Sequence, residues 1–170
     1  MMNTAKKVRD LMIPLVDYPH IPYWFSIRQA VAMLRETAVK MAGTTEPRTL
    51  LVFDEKYQLM GMLTLRDIIR GLEPRFLQET DLIKVDPGLT LLIEDLFGPN
   101  TKEAAEKPIS DVMSPIKVTV NADDPISRAL YLMIQEYVGR MPVMEGRRVV
   151  GIIRLNDLFS EITNMVLSEE

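Results

Sequence analysis

The chain says the same thing twice. Val8-Arg9-Asp10-Leu11-Met12-Ile13-Pro14 returns as Ile109-Ser110-Asp111-Val112-Met113-Ser114-Pro115, and Gly61-Met62-Leu63-Thr64-Leu65-Arg66-Asp67-Ile68 returns as Gly151-Ile152-Ile153-Arg154-Leu155-Asn156-Asp157-Leu158. The offset is 101 positions at Pro14/Pro115 and 90 at Gly61/Gly151. The first copy therefore holds extra residues, which chains tolerate in their connections. A duplication of this kind restricts the fold to one unit built twice, usually about a pseudo-twofold axis. Any cleft between the copies then comes in two related versions.

Composition narrows the chemistry. With 170 residues, 47% of them hydrophobic, the chain can bury an ordinary core. It has no cysteine and one histidine, His20. Thiolate chemistry, a histidine-rich metal site and a Ser-His-Asp triad are thereby disfavoured. No apolar run approaches the ~18 residues of a spanning helix, and Met1 to Lys7 leads into no apolar signal core, which implies a cytoplasmic protein without a membrane segment. Residues 1–71 hold 10 basic and 7 acidic side chains and 108–170 hold 6 and 9, so neither half is basic enough to suggest a nucleic-acid partner.

Each copy follows one order of elements. Pro14, Pro19 and Pro22 keep residues 15–25 extended. Ile27, Ala30, Val31, Leu34, Ala38 and Met41 then recur at helical spacing, with Ser26 as N-cap and Gly43 as C′ residue. Thr49–Phe53 and Gln58–Leu63 have the spacing of a hairpin, and a short helix is expected from near Asp67 to Gly71. In the second copy Asp124 is the expected N-cap, with Pro125 in the first turn and Gly139 behind the helix. The hairpin is Met141–Met144 and Val149–Ile153, and Asp157 opens the last helix. Each copy thus predicts strand, helix, strand, strand, helix. Residues 72–107 have no counterpart and form an insert, partly helical, whose apolar patch from Leu89 to Phe97 either covers the core or docks another protein.

The Asp-h-Met-x-Pro opening, the amphipathic helix, the hairpin and the Gly-h-h-Thr-h-x-Asp-h motif, all duplicated, resemble the CBS domain, named for cystathionine β-synthase. The pair resembles a Bateman module. The resemblance implies an α/β fold of tandem β-α-β-β-α repeats, at 8–71 and 108–167, related by a pseudo-twofold axis. It implies a non-catalytic regulatory module whose inter-repeat clefts bind an adenosyl ligand (AMP, ADP, ATP or S-adenosylmethionine) and which works as a homodimer. Apolar Ile68, Ile69, Phe159 and Ile162 fit that dimer. A separate regulated protein is a further partner of such modules. The alternative is a dimerisation or docking module with empty clefts.

Thr64 and Asp67 stand three apart at a strand-to-helix junction. A carboxylate there can accept hydrogen bonds from two sugar hydroxyls, and the helix start favours phosphate. The same spacing is also a capping box with Asp in place of Glu, which needs no ligand. In the second copy Asp157 is kept but Arg154 replaces the threonine. Arg154 can clamp a phosphate bidentately, or it can fold onto Asp157 and fill the cleft. The resemblance further implies adenine slots at Leu15-Val16 with Leu50-Leu51, and at Val118-Thr119 with Met141-Pro142. Arg48 and Arg140, each just ahead of a hairpin strand, are either phosphate contacts or solvated side chains. His20 is expected in a loop, and the twelve methionines as core filling.

Overall fold

Prolines forbid a helix after Met12, and the computed structural model shows what replaces it. After a short helix α1 (Val8–Leu11) come β1 (Ile13–Pro14), a 3-10 turn over Leu15–Asp17, and β2 (His20–Pro22). The structure describes residues 5–40, 49–72 and 99–168; Gly43, Arg48 and the Leu89–Phe97 patch lie outside the described residues. The chain continues with α2 (Ile27–Lys40), β3 (Thr49–Phe53), β4 (Leu59–Thr64) and α3 (Leu65–Leu72). Beyond the insert's α4 (Pro99–Ala104) follow β5 (Val120–Asn121), α5 (Ile126–Glu136), β6 (Arg140–Glu145), β7 (Arg148–Arg154) and α6 (Leu155–Leu167). Both copies have the expected strand, helix, strand, strand, helix order.

Sequence repeats and compact units are cut differently. One unit joins Met1–Tyr18 to Ile116–Glu170, and the other spans Pro19–Pro115. Each therefore combines the body of one copy with the opening segment of the other. In the unit holding the second body, the sheet runs β1-β7-β6-β5, with β1 antiparallel to β7 (Ile13 opposite Ile152, Pro14 opposite Gly151) and β5 parallel to β6. Its core is Val8, Val120, Ala129, Met133, Met141, Val143, Ile153 and Leu158, all buried. In the unit holding the first body, the sheet runs β2-β3-β4, and the Ser114 opening pairs with Met62 through N–H to O bonds of 2.9 and 2.8 Å. Ile21, Ile27, Ala30, Leu50, Val52, Leu63, Ile68 and Ile109 are its core. Ile68 is thus an internal residue and unavailable to a dimer surface, whereas Ile69 and Phe159 are exposed.

The repeated glycine has a steric cause. A Cβ on Gly61 would stand 2.6 Å from the Ser114 carbonyl oxygen, and one on Gly151 would overlap that of Ile13. Only glycine lets the opening segment lie this close to the strand.

Helix ends depart from expectation in three places. Ser26 does cap α2: its Oγ accepts the Gln29 N–H at 3.2 Å while Gln29 Oε1 accepts the Ser26 N–H at 2.9 Å. Asp124, however, is not the N-cap of α5; Pro125 occupies that position. The Asp124 carboxylate turns back to the Asn121 N–H at 3.1 Å, and its carbonyl is taken by the Val8 N–H at 2.9 Å. At the other end Gly139 lies behind the helix as expected, its carbonyl accepting the Leu155 N–H at 2.8 Å, and the left-handed C-cap is Tyr137, with φ 53°. The starts of α3 and α6 lie two residues earlier than expected, at Leu65 and Leu155, which places Asp67 and Asp157 at the third helical position.

Candidate functional site

The two strand-to-helix junctions share a backbone device. The carboxylate at the third helical position accepts the N–H of the residue before the helix: Thr64 to Asp67 at 2.9 Å, Arg154 to Asp157 at 3.1 Å. Each closes a capping box that satisfies donors a helix start leaves orphaned. The donors around the two carboxylates then diverge.

In the unit spanning Pro19–Pro115, the Thr64 hydroxyl accepts the Asp67 N–H at 3.1 Å. Asp67 Oδ1 takes the Ser114 hydroxyl at 2.9 Å and the Arg70 guanidinium at 2.5 Å. The Asp67 side chain is 1% exposed and that of Arg70 is 66% exposed. A buried carboxylate with a full set of donors is well satisfied, and the outermost donor is the one in water.

In the other unit, Arg154 supplies every donor. Besides its backbone N–H, its Nε and Nη2 reach Asp157 Oδ2 and Oδ1 at 3.0 and 2.8 Å, a fork across both oxygens. The bond to Asp157 is the main cause that raises the Arg154 pKa above the ordinary arginine range. Arg154 is thus folded onto Asp157. Arg140 is the cross-strand partner of Arg154 and belongs to β6, rather than lying ahead of it. Its Nη1 stands 3.5 Å from the hydroxyl of Tyr18, whose pKa is raised by burial against the lowering effect of Arg140. The equivalent cross-strand pair in the first body is Thr49 with Thr64.

The other residues singled out from sequence fall in both units. Leu51 and Pro142 are buried in the middle strands, and Val118 packs on the core of its unit. Val16 is 85% exposed on the 3-10 turn. It belongs to the unit with Tyr18, while Leu51 belongs to the other. Ser114, Arg70 and Tyr18 were not singled out from sequence. A signal existed for Ser114, because the copies differ there (Ile13 against Ser114) just as they differ at Thr64 against Arg154. His20 is a strand residue, not a loop residue, with its Nε2 2.7 Å from the Tyr57 hydroxyl. Among the described residues no cluster of acidic or histidine side chains is arranged to hold a metal ion, and no helix is long and apolar enough to cross a membrane.

Residues 109–164 match the family model of the CBS domain. The chain is 25% identical over 159 residues to the Bacillus subtilis (strain 168) protein YlbB, covering 93% of this chain and 84% of that one. The CBS domain of a CBS domain containing membrane protein from Sphaerobacter thermophilus superposes with a TM-score of 0.64 at 23% identity, over 92% of this chain and 87% of that one. CBSX2 in complex with AMP gives 0.62 at 19% identity, over 94% and 98%. The cytosolic domain of the Mg2+ channel MgtE in complex with ATP gives 0.60 at 23% identity, over 91% of this chain and 48% of that one. The exchanged openings, the paired junctions and these likenesses agree: residues 109–164 are a CBS domain, and the chain as a whole has the fold of a tandem CBS pair.

Proposed function

We propose that this protein is a non-catalytic regulatory module that binds an adenine nucleotide or related adenosyl ligand. Its first site is the Thr64–Asp67 junction, and Arg154–Asp157 is the related second position. The observation that carries this reading is the Asp67 carboxylate, fixed by Thr64 and Ser114 on the inside and closed on the outside by the exposed Arg70. When Arg70 swings into water, Asp67 can accept the two hydroxyls of a ribose, and the Thr64 hydroxyl stands beside it. Arg140, and Arg48 outside the described residues, would meet phosphate; Leu51, Val16, Val118 and Pro142 would supply apolar surface for adenine. Support comes from structural relatives solved with AMP and with ATP.

The working unit would be a cytoplasmic homodimer that acts on a separate protein, with Phe159 and Ile69, both exposed, at the dimer surface. A module that only dimerises or docks is favoured by one observation: Phe159, Met165 and Val166 on α6 are all largely exposed. Thermal shift and calorimetry with AMP, ADP, ATP and S-adenosylmethionine separate the two. A ligand at a hundred times its Kd adds about 2.7 kcal/mol of stability. A melting point unmoved by all four would leave dimerisation or docking as the function.

A further inference from the structure

The two junctions differ in who guards the carboxylate, and that difference bears on how many ligands the chain can take. Around Asp67 the donors come from three residues, and only Arg70, largely in water, lies on the outside. Its departure leaves the Thr64 and Ser114 bonds intact. Around Asp157 all three donors come from Arg154, whose side chain is 18% exposed. It cannot leave without stripping both carboxylate oxygens of their side-chain partners. Neutral sugar hydroxyls are weaker donors than a charged fork already in place.

Resting on the nucleotide-binding reading, we propose that the Arg154–Asp157 ion pair is an internal plug. It closes the second junction to ribose and limits the chain to one adenosyl ligand, held at Asp67. Arg154 is then the specificity-determining residue, and the threonine that stands in its place in the first copy is what an open junction requires.

Calorimetry on the full chain with adenosine, AMP and ATP tests this. Wild type is expected to take one ligand per chain, weakened about tenfold or more in Asp67→Asn by the loss of a charge-assisted acceptor. Arg154→Thr is expected to take two. Two ligands in wild type, or one in Arg154→Thr, overturns the plug and leaves the nucleotide reading standing. Weaker ATP but unchanged adenosine in Arg154→Thr also overturns it, since Arg154 would then be a phosphate clamp. Binding to Arg154→Thr but not to wild type supports the plug and overturns the Asp67 site. No binding to either protein overturns both. Circular dichroism confirms that the variant folds, and Arg154→Ser is read the same way if it does not. In wild type, the Arg154 Nε–H signal by NMR is expected to stay in place at saturating AMP; a shift overturns the plug.

Discussion

The two junctions are the same backbone with different guards. Both put an aspartate at the third position of a helix and bond it to the N–H before that helix. In one, a serine hydroxyl and an exposed arginine supply the side-chain donors; in the other a single arginine supplies both. The arginine has moved across the helix start: Arg70 lies one turn after its aspartate and is counterpart to Ser160, whereas Arg154 lies one turn before its own and is counterpart to Thr64. Duplication conserved the cap, which is a backbone necessity, and left the donors free to diverge. Structural and ligand-binding roles of one carboxylate can therefore be separated by asking which donors it cannot lose.

The largest expected effects fall where the copies should behave alike. Gly61→Ala and Gly151→Ala each drive a Cβ into a carbonyl of the opening segment, and each should cost about 3 kcal/mol in urea unfolding, at the upper end for overpacking. A clear inequality between them would show that one opening can shift and the other cannot. Next come the aspartates, where the copies should differ. Asp67→Ala leaves the Ser114 hydroxyl and the Thr64 N–H without their acceptor and should cost about 2–3 kcal/mol. Asp157→Ala frees an arginine that can turn toward water and should cost about 1 kcal/mol. Equal losses would remove the physical distinction on which the comparison rests.

Ser114→Ala deletes one donor to Asp67 and should cost about 1 kcal/mol. The matching Ile13→Ala exchange reports apolar burial instead, so its urea midpoint should be insensitive to substitutions at Asp157. Smallest at neutral pH is Tyr18→Phe, expected within about 0.5 kcal/mol, since its bond to Arg140 is long. Its effect lies in alkali. Burial holds the Tyr18 pKa above its unfolded value, so the stability it lends is complete below pH ~10 and is lost as pH rises through the folded value. Stability measured from pH 8 upward should fall less steeply in Tyr18→Phe than in wild type.

Much of the fold was legible because it depends on spacing. The periodic apolar residues of α2, the Ser26–Gln29 cap and the two hairpins follow from local chemistry along the chain. The α5 start was misjudged because the Asp124 carboxylate turns back to the Asn121 N–H and so does not cap the helix. The site was half legible: Thr64, Asp67, Arg154 and Asp157 stand in the repeated motif, but Ser114 and Tyr18 reach their partners from 47 and 122 positions away.

By itself, then, the sequence determined that one unit is built twice, in what order its elements come, and where its two carboxylates stand. Those are properties of neighbours a few residues apart, where helix and strand periods and capping hydrogen bonds act. Only the tertiary structure decided that each copy's opening packs on the other copy's body, that Ile68 is core, and that Ser114 reaches Asp67 from 47 positions away. Such choices compare one long-range partner with another at similar local cost. They are settled by which surfaces the folded chain brings within a few ångströms, a quantity that spacing along the chain does not contain.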